Sequence, residues 1–98
     1  MSDGVTLRKD AERDIQEAFS HYQSCRPGLG NEFLLCVEVA LESIKRNPDI
    51  YRKVYREVHR LTLHRFPYAV YYVQYPQSIV VFAVMHIRRN PTRWQLRK

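Results

Sequence analysis

Apolar residues along this chain follow a helical period first and a strand period later. Val5, Thr6 and Leu7 form a short run that favours β-structure. Between residues 10 and 25 apolar side chains recur every three or four positions, which predicts an amphipathic helix. The Pro-Gly-Leu-Gly sequence at 27–30 interrupts it, and a second helical stripe continues to about Arg46. So short a turn predicts an antiparallel helical hairpin.

The second half of the chain has the pattern of strands. Apolar residues alternate with charged ones from Val54 onward, and two strongly apolar runs follow at 65–73 and 78–87. Connections of a few residues join these three segments, which predicts an antiparallel meander. The predicted fold is therefore α+β, in the order strand, helix, helix, strand, strand, strand. The helical hairpin packs on one face of a small antiparallel sheet.

The last predicted strand is apolar on both of its faces. Val80, Phe82 and Val84 alternate there with a second apolar set. One face meets the helices, and little of the chain is left for the other. We therefore expect an apolar strip ringed by arginines, which a bound partner would cover. The alternative is that the tail at 90–98, otherwise flexible or ordered by a partner, folds back with Trp94 as its anchor.

Length and composition limit the class of protein. The 98 residues suffice for one domain over 1–98. No apolar run approaches the ~18–20 residues that cross a bilayer, and the first residues lack the apolar part of a secretion signal. We expect a soluble, cytoplasmic protein with no membrane partner. Cys25 and Cys36 are expected to be free thiols, because further ligands at metal-binding spacing do not accompany them. No metal or cofactor is expected.

The charge is unevenly distributed. The net charge is +6, but residues 1–48 carry six Lys/Arg against eight Asp/Glu, whereas residues 49–98 carry ten against two. The second half therefore has a net charge of +8. Such asymmetry in one small domain predicts a face that attracts nucleic acid or an acidic protein segment.

Five segments follow one another in a specific order: AERDIQEAFSHYQ, PGLGNEFL, NPDIY, RFPYAVYYV and AVMHIRRNPTRW. This order, over nearly the whole chain, resembles the RelE/ParE superfamily of toxins from bacterial type II toxin–antitoxin modules. The resemblance implies a small toxin held inactive by a tightly bound antitoxin, whose extended acidic or amphipathic segment wraps the domain. The expected antitoxin contacts are Phe82, Val84, Arg88 and Arg97.

Two mechanisms occur in this superfamily. RelE-like members are ribosome-dependent endoribonucleases that cut mRNA, whereas ParE-like members bind and poison DNA gyrase. As a metal-free nuclease, this chain could use His86 as acid or base, with Arg65 and Arg88 stabilising the charge on the phosphate. Tyr71, Tyr72 or Tyr75 could then stack on a base.

The gyrase hypothesis is favoured over the nuclease hypothesis. RelE-like nucleases usually place an arginine inside the third strand's apolar run, where this chain has Tyr68 or Ala69. A gyrase poison needs no catalytic set, only aromatic and arginine anchors on a complementary surface. The expected target-binding residues are Tyr71, Tyr75, Arg89, Arg93 and Trp94. A third hypothesis is a relic that binds its antitoxin and has no target.

Overall fold

Two helices cover one face of a five-stranded sheet in the computed structural model, which describes residues 4–97. The sheet order is β1-β5-β4-β3-β2. This arrangement confirms the predicted α+β fold with a helical hairpin on one face. The elements in chain order are β1 (Val5–Leu7), α1 (Lys9–Cys25), α2 (Leu29–Arg46), β2 (Lys53–Tyr55), β3 (Val58–Thr62), β4 (Tyr68–Gln74), β5 (Ile79–His86) and α3 (Thr92–Gln95).

The sheet is mixed, whereas an antiparallel sheet was expected. The first strand, β1, is present as predicted and lies at the edge of the sheet, but it runs parallel to β5, with Val5 opposite Ile79 and Leu7 opposite Val81. The Arg8 N–H donates to the Val81 carbonyl at 2.9 Å and extends this pairing by one residue. Only the β2–β3–β4–β5 part is an antiparallel meander.

The strand predicted to start at Val54 is in fact two strands. β2 and β3 form a hairpin whose two-residue turn is Arg56-Glu57. Arg56 has a φ of 51°, in the left-handed region that tight hairpin turns require. The shift in the apolar pattern around Val58 therefore marks the start of a new strand.

A bulge in β5 changes which side chains face the helices. Tyr71 lies opposite Ala83 and Tyr72 lies opposite Val81, so Phe82 is the extra residue. As a result Val84 packs in the core under the helices, while Phe82 belongs to the opposite face. The simple alternation expected for this strand is broken at that point.

The core under the helices is filled from α2 and the central strands. Phe33 and Ile44 are fully buried there, and Tyr72 reaches beneath the end of α2. The Tyr72 hydroxyl donates to the Pro48 carbonyl at 2.6 Å, so its polar atom is satisfied. Burial raises the pKa of the Tyr72 phenol well above its usual value.

The opposite side of the sheet, called the far face below, is covered by the chain's own tail. Trp94 of α3 is 4% exposed and lies in a second core with Val58, Tyr71, Phe82 and Met85. The prediction of a bare apolar strip is therefore wrong. The alternative prediction, a tail anchored by Trp94, is confirmed. The large indole covers the apolar side chains that the strands present on the far face.

Neither long helix could span a membrane. Within residues 4–97, no helix combines the required length with sufficient hydrophobicity.

Candidate partner-binding surfaces

His86 ends β5, next to the arginine-rich turn. Its ring contacts Tyr68 edge-on, with centroids 5.4 Å apart, and its Nδ1 accepts a hydrogen bond from the Arg88 backbone N–H at 3.0 Å. Burial raises the pKa of the Tyr68 phenol. His86 therefore contacts the backbone of Arg88, and this hydrogen bond lies within the turn. The side chain of Arg88 is exposed to solvent.

Arg65, the third residue of the predicted nuclease set, is engaged with α2. Its Nη2 lies 2.8 Å from Glu32 Oε1, and its guanidinium lies 5.6 Å from the centroid of the Phe66 ring. The loop that carries Arg65 lies next to the end of β5, because the Ile87 N–H donates to the Pro67 carbonyl at 2.9 Å. Arg65 is nevertheless held by a carboxylate from α2.

Glu32 is the partner of two arginines. Arg65 and Arg26 both donate to its carboxylate, the latter at 3.3 Å, and these hydrogen bonds lower the pKa of Glu32 below its usual value. The three side chains join the start of α2 to the loop before it and to the β3–β4 loop.

The tyrosines expected to stack on a base are already stacked within the protein. Tyr71 is 2% exposed and packs against Trp94, with ring centroids 4.4 Å apart and an interplanar angle of 22°. Tyr72 stacks on the buried His59 at 4.9 Å. Tyr75, by contrast, is 49% exposed in the β4–β5 turn. Two of the three predicted rings are thus unavailable to a nucleotide.

Three of the expected antitoxin contacts are internal. Phe82 and Val84 are each 1% exposed, so they do not present a surface to a partner in this structure. Arg97 forms a bidentate ion pair with Asp14 and also donates to the Phe82 carbonyl at 3.2 Å. Phe82 packs with Trp94 on the far face, Val84 packs under the long helices, and Arg97 pairs with Asp14. Their contact with an antitoxin stays a prediction.

Three of the arginines predicted to contact a partner are exposed just after β5 and on α3. Arg88, Arg89 and Arg93 are exposed, and Leu96 is 86% exposed beside them in sequence. Trp94, expected to bind the target, lies beneath this surface. The accessible apolar side chain of the described tail is therefore Leu96, which is not among the predicted site residues.

An apolar groove between α2 and β3 was also missed. It has a volume of about 480 Å³, and Leu35 and Val39 on α2 are 60% and 67% exposed beside it. We call it the α2–β3 groove. Its lining consists of Leu35, Cys36, Val39, Ala40, Leu61 and Leu63, with Glu32, Ser43, Thr62, His64 and Arg65 contributing polar groups.

A signal for this groove was present in the sequence. The second helix carries apolar residues beyond the single stripe that a core requires, and Leu35 and Val39 are four residues apart outside that stripe. Exposed apolar side chains spaced by one helical turn are typical of a binding surface.

Comparisons with known proteins agree with this architecture. The family model described as "ParE toxin of type II toxin-antitoxin system, parDE" matches residues 5–91. The Toxin ParE2 sequences of two Mycobacterium tuberculosis strains are 26% identical to this chain over 92 residues, covering 93% of it and 88% of the relatives. A solved structure, "Chromosomal ParDE TA system from P. aeruginosa", matches with a TM-score of 0.76 at 13% identity, covering 87% of this chain and 96% of that one.

The fold and its two surfaces thus define a small α+β toxin of the RelE/ParE type. The family match covers most of the chain, and the chain belongs to the ParE toxin family of type II toxin–antitoxin systems.

Proposed function

We propose that this toxin acts by binding and inhibiting DNA gyrase, without cleaving RNA itself. The observation that carries the proposal is the engagement of Arg65. Its guanidinium forms a 2.8 Å ion pair with Glu32 on α2. A nuclease needs its cations directed at the phosphate of the RNA. It also needs rings that can hold a base, and Tyr71 and Tyr72 are buried within the protein. Membership of the ParE family supports the same choice.

The surface proposed to meet gyrase comprises Tyr75 in the β4–β5 turn and the exposed residues that follow β5. Arg88, Arg89 and Arg93 provide charged hydrogen-bond donors, and Leu96 provides an exposed apolar contact. Arginine and tyrosine side chains are enriched among the residues that carry most of the binding energy at an interface. Trp94 supports the surface by fixing α3 to the sheet.

A purified-component assay tests this proposal. We expect the chain to inhibit DNA supercoiling by gyrase, and Leu96→Glu and Arg89→Gln to weaken that inhibition. Arg13→Gln is the matched control, because Arg13 is 67% exposed on α1 and carries the same charge. His86→Ala should retain inhibition, since the proposal gives His86 no chemical role.

Induction in cells without an antitoxin distinguishes the two mechanisms. DNA damage signalling and filamentation are expected first. Rapid loss of translation, with mRNA cuts at ribosomal A sites and full dependence on His86, would overturn the gyrase proposal in favour of the nuclease. Normal growth on induction would instead favour the inactive relic.

We also propose that the α2–β3 groove holds a segment of the antitoxin that this family implies. The groove follows α2 from Glu32 to Ser43, about 16 Å at 1.5 Å per residue, which matches roughly three turns of a partner helix. Burial of its exposed apolar side chains against an amphipathic segment would contribute favourable free energy to binding. Antitoxin binding in the groove would then leave the proposed gyrase surface around Arg88, Arg89 and Arg93 accessible.

A pair of equally exposed residues provides the test. Val39 lies in the groove and Ile50 lies outside its lining, and both are 67% exposed. We expect Val39→Glu to weaken antitoxin binding at least tenfold in a titration, and Ile50→Glu to leave it within about twofold, since a buried charge costs more than a solvated one. Equal loss in both variants would remove the groove from the antitoxin interface.

A further inference from the structure

A group of arginines and aromatic rings surrounds Trp94 on the far face. The Trp94 indole contacts Tyr71 at 4.4 Å and Tyr55 at 5.9 Å between ring centroids. Arg56 lies 5.1 Å from the Tyr55 ring centroid, and Arg60 of β3 lies directly opposite Tyr71 of β4. Arg93 precedes Trp94 on α3. We call these six residues the far-face patch.

The rings of the far-face patch are occupied by one another. Trp94 is 4% exposed and Tyr71 is 2% exposed, so neither offers a free face. Proteins that bind single-stranded nucleic acid stack its bases on free aromatic side chains. A partner that binds through apolar side chains would also find little surface to bury here, unlike in the α2–β3 groove. The accessible chemistry of the patch is therefore its guanidinium groups.

Within residues 4–97, no carboxylate forms an ion pair with the guanidinium group of Arg60 or Arg93. In the described part of the chain, arginine ion pairs involve Arg13, Arg26, Arg65 and Arg97. The carboxylate next to the patch in sequence, Glu57, is 2.9 Å from the Lys53 ammonium.

The backbone that carries these cations belongs to regular elements. Arg56 lies in the tight β2–β3 turn, Arg60 lies within β3 directly opposite Tyr71, and Arg93 lies in α3, which Trp94 fixes to the sheet. Guanidinium groups mounted on a fixed scaffold can bind a regularly spaced anion with less loss of conformational entropy than groups on a mobile tail.

We propose that the far-face patch binds the phosphate backbone of double-stranded DNA, without reading its sequence. Arg56, Arg60 and Arg93 donate to phosphate oxygens, and the buried rings beneath them exclude base stacking. Backbone contacts of this kind give affinity and orientation but no sequence preference. This property goes beyond gyrase inhibition and does not require it, although Arg93 belongs to both proposed surfaces.

Binding of the full-length chain to a fluorescent 20-base-pair duplex tests the proposal, with anisotropy measured between about 50 and 200 mM salt. Three neutralised phosphates give a slope of log affinity against log salt near −2.7, from about −0.9 per phosphate. We expect Arg93→Gln and Arg60→Gln each to weaken binding at low salt and to make the slope shallower by roughly 1. Arg13→Gln, with the same loss of charge on α1, should change the slope little.

Four results would overturn the inference. The first is that the unmodified chain shows no detectable binding to the duplex at low salt, and the second is that Arg13→Gln weakens duplex binding as much as Arg93→Gln does. The third is that the chain binds single-stranded DNA more tightly than duplex DNA. The fourth is that it binds an acidic peptide such as oligoglutamate more tightly than the duplex. Arg60 is half-buried, so Arg93→Gln, at an exposed position, shows the effect without disturbing the fold.

The inference and the proposed function can fail separately. Gyrase inhibition by a chain that does not bind the duplex would overturn only the DNA site. Duplex binding by a chain that does not inhibit gyrase would overturn only the gyrase proposal.

Discussion

Trp94 stacks on Tyr71 with ring centroids 4.4 Å apart, and this contact determines which surface the toxin presents on the far face of its sheet. The indole covers the apolar side chains there, including Phe82 and Met85. The far face is therefore a second core, and the residues that remain accessible around it are charged. The contact also places α3 against the sheet.

Removing the indole should strongly destabilise the fold. We expect Trp94→Ala to lower the free energy of unfolding by about 3–5 kcal/mol, because it deletes a buried aromatic side chain and leaves a cavity. Leu96→Ala, two residues away and 86% exposed, should change it by less than about 0.5 kcal/mol. Urea unfolding followed by circular dichroism measures both. Similar stability of the two variants would show that α3 does not close the far face.

The pair formed by Asp14 and Arg97 closes the edge of β5 beyond the end of β1. Asp14 accepts from the Val84 N–H at 3.0 Å, and Arg97 donates to the Phe82 carbonyl at 3.2 Å. These side chains satisfy backbone groups that a neighbouring strand would otherwise pair. They also connect α1 to the end of the described chain.

We expect Arg97→Gln and Asp14→Asn each to reduce the free energy of unfolding by about 1–3 kcal/mol, because each leaves a partly buried charge or backbone group without its partner. The double variant should lose less than the sum of the two, and a double-mutant cycle measures that coupling. Arg13→Gln provides the control, since its ion pair with Asp10 is exposed and should contribute less than about 1 kcal/mol. Strict additivity would contradict direct pairing.

The Glu32 carboxylate should give a pH-dependent contribution to stability. Hydrogen bonds from Arg65 and Arg26 lower its pKa in the folded state. A lowered pKa means that the contribution is present above the unfolded-state value of about 4.3 and is lost as the pH falls through the folded-state value. Arg65→Gln should raise the Glu32 midpoint in an NMR titration, and the stability of this variant should approach that of the unmodified chain as the pH falls below the folded-state pKa of Glu32. An unchanged midpoint would mean that the ion pair does not persist in solution.

Gly30 allows α1 and α2 to approach closely at their junction. A Cβ at this position would lie 2.8 Å from the Phe19 ring and from Gln23 Oε1. The same amide oxygen accepts from the N–H groups of Gly28 and Gly30, at 3.2 and 3.0 Å, at the start of α2.

We expect Gly30→Ala to destabilise the fold by about 1–3 kcal/mol through overpacking, despite the better helix propensity of alanine. Asn31→Ala, at the adjacent exposed position, should have little effect. A thermal unfolding series shows the difference. An increase in stability for Gly30→Ala would mean that the two helices can separate at this point without cost.

Much of the architecture follows from local patterns. The two helices, the β4 and β5 strands and the edge strand β1 could be predicted, because helical and strand periods act over a few residues. The β2–β3 hairpin was missed, since Arg56 gives no conventional turn signal and its left-handed φ becomes visible only in the structure. The α2–β3 groove was missed because additional apolar residues on a helix do not show which face of that helix the neighbouring elements leave uncovered.

By itself the sequence determined the hairpin of helices, the apolar central strands, the basic second half and the resemblance to RelE/ParE toxins. Each of these depends on residue type and on short spacings. The tertiary structure alone decided that Trp94 and Phe82 are buried, that Arg65 pairs with Glu32 and that Arg97 pairs with Asp14. The reason is physical. These contacts join residues distant in the chain, and the energy of each depends on how the bulge in β5 and the return of α3 bring the partners together.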